Sequence, residues 1–226
     1  MNSEMTLSDE EAKRQKQKQR RCKIIVEAMK QLAASGLNKG TAGNVSMRFG
    51  DGMLITPSGI KPEFLNESMI VELDAEGNKV GSGRAPSSEW QMHWALYQQR
   101  RSTNAVVHCH SRYATILACA RKPIPAFHYM VSVTGKDHVP CAPYATFGSE
   151  ELAQSVCDTM GDGYACLMEN HGQIVAAANM DRAIWITEEV EEQASVYWGA
   201  EAIGGAVNLT DEEMTAVNKR FASYGQ

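Results

Sequence analysis

Three histidines and one glutamate could do chemistry together in this chain: Glu89 in Pro86-Ser87-Ser88-Glu89-Trp90, the pair in Val107-His108-Cys109-His110, and His171 in Glu169-Asn170-His171-Gly172. Imidazole nitrogens and a carboxylate oxygen suit Zn2+, and a carboxylate able to swing away leaves an exchangeable position for substrate. Such a cluster points to metal-assisted catalysis. Each member also has a plainer explanation. Residues at i and i+2 of a strand share a face, so His108 and His110 can meet one ion, yet the same pair can simply be packed and hydrogen-bonded. Glu89 lies one turn inside an expected helix, where the macrodipole alone favours a carboxylate. His171 sits in a tight turn between two expected strands, from which its side chain can project. His93, four residues beyond Glu89 on the same helical face, could chelate with it; a packing or ligand-supporting role suits it better. His128 and His138 have no such partners and are read as ordinary histidines.

A second constellation is made of small polar residues and glycines: Thr41-Ala42-Gly43-Asn44, Thr56-Pro57-Ser58-Gly59 and Pro86-Ser87-Ser88. Hydroxyls, amides and accessible backbone N–H groups, the last set at a helix start, suit a phosphate. None matches a nucleotide-binding fingerprint. A substrate with a phosphate at one end and oxygens for a metal at the other would use both constellations.

These residues need elements to hold them. Ser8-Asp9-Glu10-Glu11 reads as a helix start, continued by Ile24, Ile25, Ala28, Met29 and Leu32 at helical spacing as far as Gly36. Residues 44–49, 53–56 and 69–73 read as strands separated by Gly50-Asp51-Gly52, Pro57-Ser58-Gly59 and Asp74-Ala75-Glu76-Gly77, the first two forming a hairpin. Ser87 is the expected cap of a helix through Trp90, Trp94 and Tyr97. It is followed by a strand at 105–110, a helix at 111–121, strands at 165–168 and 173–177, and helices at 181–202 and 211–224, with Thr210 capping the last. Strict strand–helix alternation is missing, so the expected class is α/β in the sense of α+β layers: one domain, a largely antiparallel central sheet flanked by helices.

Composition narrows the function. The 226 residues are 43% hydrophobic, enough to bury a substantial core, and the net charge of −5 does not recommend a polyanionic partner. The basic stretch from Lys13 to Lys23 is interleaved with Gln and reads as a solvated helix face rather than a nucleic-acid contact. Six scattered cysteines without zinc-ribbon or redox spacing fit a reduced cytoplasmic protein, and no apolar stretch suits a signal peptide or a membrane span.

Seven motifs in order then carry a resemblance: Thr41-Ala-Gly-Asn-Val-Ser-Met-Arg48, Asp51-Gly-Met-Leu-Ile-Thr-Pro-Ser-Gly-Ile60, Pro86-Ser-Ser-Glu-Trp90, Ala105-Val-Val-His-Cys-His110, Ile124-Pro-Ala-Phe-His-Tyr-Met130, Pro140-Cys-Ala-Pro-Tyr-Ala-Thr-Phe-Gly148 and Asn170-His-Gly172. From about residue 22 onward the chain resembles class II aldolases of the fuculose-1-phosphate aldolase type. Residues 22–226 are therefore expected to form the aldolase domain and residues 1–21 a helical extension.

The resemblance implies a zinc-dependent homotetramer with active sites between subunits, cleaving a ketose 1-phosphate reversibly into dihydroxyacetone phosphate and a short aldehyde through an enediolate. Mn2+ or Co2+ would suit the same donors. By motif match, His108, His110 and His171 would hold the metal. Glu89 would ligate it at rest and transfer a proton once displaced, and Tyr129 would reach in from a neighbouring subunit. Asn44, Ser58, Gly59, Ser87 and Ser88 would bind phosphate, with Phe221 and Tyr224 covering the aldehyde end. Related epimerases carry Asp at the position of Glu89, which favours the aldolase branch. An epimerase, decarboxylase or dehydratase on the same fold is the alternative, and a non-enzymatic interaction domain the third reading. Glu169 and Lys61-Pro62-Glu63 depart from the commoner pattern. The aldehyde stays open among the products of L-fuculose 1-phosphate, 5-deoxyribulose 1-phosphate and 5-methylthioribulose 1-phosphate.

Overall fold

The largely continuous apolar runs of the strands are explained by a sheet covered on both faces. The structure is a computed structural model and describes residues 3–221, with side chains from Ser8 onward. Strands β1 (Asn44–Phe49), β2 (Gly52–Ile55), β3 (Val71–Leu73), β4 (Ala105–Cys109), β5 (Cys141–Ala142), β6 (Ala165–Met168) and β7 (Gly172–Ala177) form a 7-stranded sheet in the order β3-β2-β1-β4-β7-β6-β5. Every pairing is antiparallel except β5 with β6. Helices α1 (Ser3–Ala34), α2 (Trp90–Gln99), α3 (Arg112–Cys119), α4 (Glu150–Met160), α5 (Met180–Ala202) and α6 (Asp211–Phe221) complete the α+β layers expected from the sequence.

Successive strand residues point to opposite faces, so each face has its own core. Val45, Met47, Val107, Leu167 and Val175 pack with Ile25 and Leu32 of α1, Leu117 of α3 and Ile186 of α5. The intervening Val106, Cys166, Met168 and Ile174 pack with Leu96 of α2 and Val156 of α4. Burying such apolar surface contributes about 25 cal/mol per Å². On the α2 side this core stops being apolar at one end. Asn44 stands opposite His108, and Ser46 opposite Val106, in the β1–β4 register. The polar residues that begin β1 therefore lie beside the histidine near the end of β4, under α2.

Several boundaries differ from the sequence reading. Helix α1 already runs at Ser3, ahead of the expected start at Ser8. The strand expected at 69–73 is shortened by a 3₁₀ turn at Glu67–Met69, whose Asn66 cap accepts from the Ser68 amide. Helix α4, strand β5 and the 3₁₀ turn Tyr129–Thr134 had no counterpart in that reading. For α4 a signal was present: Ser149 Oγ accepts from the Leu152 amide at 3.1 Å, with Glu150 and Glu151 in the first turn. Thr210 and Glu213 exchange side-chain bonds with each other's backbone amides, at 3.2 and 2.8 Å, capping α6 as anticipated.

The basic stretch of α1 is corrected in part. Rather than facing solvent throughout, Arg14 and Lys18 both meet the buried carboxylate of Glu72 on edge strand β3, Lys18 at 2.7 Å. Arg21 donates to the Arg48 carbonyl at 2.6 Å, and the Arg14 and Arg21 guanidinium groups lie over the Phe49 ring. Burial alone would raise the Glu72 pKa, but Lys18 and Arg14 outweigh it and hold the carboxyl below its ordinary value. This inner stripe docks the helix across the edge of the sheet.

Candidate metal centre

Strand β4 delivers His108 fully buried, and His110 follows one residue past its end at the solvent mouth. The β6–β7 turn delivers His171, with Asn170 at φ +56° so that the chain reverses within three residues. The three rings meet edge to face with centroids 4.8, 4.8 and 4.9 Å apart, and their ligand nitrogens all lie within 4.8 Å of one another. Gly172 permits the approach. A β-carbon there would stand 2.6 Å from the Cys109 carbonyl oxygen and 3.0 Å from Cδ2 of His110.

Glu89 closes the cluster from α2. It is the N-cap residue, with helix beginning at Trp90, and not a residue one turn inside. Ser87 is correspondingly not the cap: its hydroxyl accepts from the Glu89 amide at 3.3 Å in the approach to the helix. Off the helix barrel, the Glu89 carboxylate points at the histidines, with Oε2 3.3 Å from His108 Nε2 and Oε1 3.0 Å from His171 Nε2. Burial would raise its pKa, but the facing His108 and His171 outweigh that effect and keep the carboxyl well below the usual range. For His110, burial of its inner side, with His108 and His171 beside it, lowers the imidazole pKa to about 4.

The donor set fits a divalent cation. A carbonyl can only accept, so His108 Nδ1 donates to the Gln173 carbonyl at 2.8 Å, which leaves Nε2 as the nitrogen aimed into the cluster. His110 Nε2 lies 3.0 Å from that atom, and Glu89 Oε1 is buried with only His171 Nε2 facing it. Three imidazoles and a carboxylate thus converge on one point, a donor set that a divalent ion satisfies by taking a lone pair from each.

His93 does not join the ligands. It is fully buried, with Nδ1 2.8 Å from Ser46 Oγ and Nε2 closing on Asn44 Oδ1, while Asn44 Nδ2 donates to Glu89 Oε2 at 2.8 Å. Burial, and secondarily the adjacent His108, pushes its pKa down to about 3, so the ring is neutral.

The phosphate-suited turns come together at the same end of the sheet. Pro57 and Pro86 form an antiparallel bridge, Ser58 N donates to the Ala85 carbonyl at 3.2 Å, and Ser87 N donates to the Thr56 carbonyl at 3.0 Å. Thr56 in turn bonds Val45, next to Asn44, through both its amide and its hydroxyl. Ser58, Gly59, Ser87, Ser88 and Asn44 are thereby gathered around the start of β1, and Gly59 at φ +70° faces open space. A cleft of about 270 Å³ lined by Ser88, Glu89, His110, Tyr144, Phe147 and His171 links this region to the histidines.

Comparison with known proteins decides the family. Residues 23–198 match the family described as Class II Aldolase and Adducin N-terminal domain. The chain is a class II aldolase family member. It is 46% identical over 202 residues to an L-fuculose phosphate aldolase of Escherichia coli, covering 89% of this chain and 94% of that one. A 5-methylthioribulose-1-phosphate/5-deoxyribulose-1-phosphate aldolase of Rhodospirillum rubrum is 43% identical over 201 residues, covering 89% and 90%. A solved L-fuculose 1-phosphate aldolase superposes with a TM-score of 0.86 at 43% identity, over 89% of this chain and 96% of that chain.

Two residues assigned to this family member's site by motif lie apart from the cluster. Tyr129, half-exposed, stacks with Phe221 at 6.3 Å between ring centroids, and both line a groove of about 700 Å³ with Met130, Trp185 and Val217. That groove shares no lining residue with the cleft at Glu89. Tyr224 lies outside the described residues. Glu169 has a definite place: its Oε2 accepts from the Tyr144 amide at 3.1 Å and pairs with Arg121 at 3.4 Å, tying the cleft-lining 143–148 loop to the His171 turn. Sequence patterns missed the Gln173 carbonyl that orients His108 and the Ser46 and Tyr97 hydroxyls beneath His93. The carbonyl leaves no trace in residue type; the hydroxyls stand on the α2-facing side of β1 and α2, where the period-two and helical patterns would have flagged them.

Proposed function

We propose that the chain is a metal-dependent class II aldolase that cleaves a ketose 1-phosphate reversibly into dihydroxyacetone phosphate and a short aldehyde. The observation that carries this reading is the convergence of the His108, His110 and His171 ring nitrogens, with the Glu89 carboxylate 3.3 Å from His108 Nε2 and 3.0 Å from His171 Nε2. These four residues would hold Zn2+, with Mn2+ or Co2+ as substitutes. When bound, the ion would supply Lewis-acid stabilisation of the negative charge that develops on substrate oxygens.

The chain's own groups account for the rest. Asn44, Ser58, Gly59, Ser87 and Ser88 would hold the phosphate and set the distance from it to the reacting carbons. In the cleavage direction the hydroxyl on the fourth carbon loses its proton and the bond between the third and fourth carbons breaks. The electron pair passes onto the neighbouring carbonyl as an enediolate. Glu89, freed from the ion, would carry the proton delivered to the third carbon. Tyr129, from the neighbouring subunit of a homotetramer, would exchange the proton on the aldehyde oxygen, with Phe221 and Tyr224 covering that end. Its separation from Glu89 within one chain supports an active site shared between subunits. The family match from residue 23 supports treating residues 1–21 as an extension on a 22–226 catalytic unit. Free cysteines among the described residues suit a reduced cytoplasmic setting.

The test compares release of dihydroxyacetone phosphate from L-fuculose 1-phosphate, 5-deoxyribulose 1-phosphate and 5-methylthioribulose 1-phosphate. One of the three should dominate in kcat/KM. No release from any of them, with conversion of a 5-phosphate instead, would replace the aldolase reading with an epimerase-type one.

A further inference from the structure

Beneath Glu89 runs a line of buried polar groups: Asn44, His93, Ser46 and Tyr97 are each almost wholly shielded from solvent. Their hydrogens can be assigned one by one. A carboxylate only accepts, so the 2.8 Å contact of Asn44 with Glu89 Oε2 must be made by the amide nitrogen. The amide oxygen therefore faces His93 Nε2, which must carry the ring proton. His93 Nδ1 is then bare and accepts from Ser46 Oγ at 2.8 Å. The Ser46 oxygen, its hydrogen committed, accepts from the Tyr97 hydroxyl at 2.8 Å. Every bond points the same way, from Tyr97 toward the carboxylate.

We infer that His93 is a positioning residue for Glu89: its Nε2 proton turns the Asn44 amide so that nitrogen, not oxygen, faces the carboxylate. The inference rests on the proposed proton-transfer role of Glu89. An Asn amide is nearly symmetric in shape, and only its hydrogen-bond partners decide which end points where. The Ser46 and Tyr97 hydroxyls can each donate or accept and so follow the ring, whereas the Glu89 carboxylate on one side and the His93 Nε2 proton on the other hold Asn44 in one orientation. A reversed amide would place an oxygen against the carboxylate and repel it. The second hydrogen on Asn44 Nδ2 stays unassigned, so the same nitrogen can serve the phosphate while it steadies Glu89. The arrangement keeps one carboxylate oxygen held as the other exchanges partners, which a general acid needs in order to deliver its proton at a defined position.

The test uses the metal-loaded full-length protein with nitrogen-15-labelled histidine, and the variants His93→Leu, His93→Gln and Ser46→Ala. In the wild type, two-bond proton–nitrogen spectra should show His93 protonated on Nε2 and bare on Nδ1. Loss of orientation in His93→Leu should lower kcat about 10- to 100-fold with metal content kept, as removal of a group supporting a metal ligand commonly does. KM should change by less, because the phosphate contacts remain. His93→Gln can still donate to Asn44 Oδ1 and should recover at least about tenfold of that loss. Ser46→Ala removes only the donor to Nδ1 and should leave His93 protonated on Nε2, so the spectrum still decides where His93→Leu fails to fold. A wild-type ring protonated on Nδ1, or a folded, metal-loaded His93→Leu with unchanged kcat, overturns the inference. Should the wild type release no dihydroxyacetone phosphate at all, the functional reading fails, while the tautomer still decides for or against the positioning of Glu89.

Discussion

Gly172→Ala tests whether the metal centre depends on the close approach of the β6–β7 turn to the end of β4. The added β-carbon would lie 2.6 Å from the Cys109 carbonyl oxygen and 3.0 Å from His110 Cδ2, against ordinary contact from 3.4 Å. The carbonyl must retreat by about 0.8 Å and the imidazole by about 0.4 Å, whereas metal–ligand distances tolerate only about ±0.2 Å. Two ligands feel the change, since His110 is struck directly and His108 is anchored on the carbonyl of Gln173, the next residue. Overpacking of this kind costs about 1–3 kcal/mol in folding stability. The expected loss of metal affinity is about 10- to 100-fold. Competition with a calibrated chelator measures the affinity, and thermal melts with and without added Zn2+ measure the linkage. A metal at a hundred times its Kd stabilises the wild type by about 2.7 kcal/mol, and about 1.3 to 2.3 kcal/mol of that increment should vanish in the variant. A folded Gly172→Ala protein that binds Zn2+ as tightly as the wild type would refute the reasoning.

Further outcomes follow from the same geometry. Glu89→Gln should keep metal, because three histidines remain, yet lose about 10²-fold or more in turnover; elemental analysis beside a dihydroxyacetone phosphate assay checks both, and undiminished turnover removes Glu89 from the proton transfer. His110→Ala should lose metal and activity together, and a chelator should lower the melting temperature of the wild type but not of this variant. Glu72→Gln should loosen α1 from β3, costing about 1–3 kcal/mol at pH 7 for a buried charged hydrogen-bonded group. The folded pKa of Glu72 is depressed, so its contribution is complete above the unfolded value near 4.3 and fades as pH falls through the folded one. Urea unfolding should therefore show the two proteins converging in acid, and a gap that stays constant down to pH 3 would contradict the ion-pair explanation.

Local patterns carried much of this protein. The β1–β2 hairpin, the strand bearing His108 and the caps of α6 were legible because alternation, turn residues and caps act over a few neighbours in the chain. The helix α4 was equally local, with its Ser149 cap, and passed unmarked between two motifs of stronger chemical content. The metal cluster was legible as residue types, since imidazoles and a carboxylate are the donors a divalent ion takes, while its membership rested on the resemblance carried by the surrounding motifs.

Other features depended on distance in three dimensions. Glu89 proved to be the N-cap residue because the exact first turn of α2 is set by packing of Met92 and Leu96 on the sheet, which periodicity locates only within a turn. Part of the basic stretch of α1 became an inward stripe because β3 happens to present a buried Glu72 beneath it. Residue identity and spacing thus determined which groups could bind a metal and a phosphate, because those are properties of side chains and short segments. Tertiary structure alone decided which nitrogen of each histidine faces inward, which way Asn44 points, and that Tyr129 stands away from Glu89. Those outcomes depend on carbonyls, hydroxyls and surfaces brought together from remote parts of the chain, and no local pattern records them.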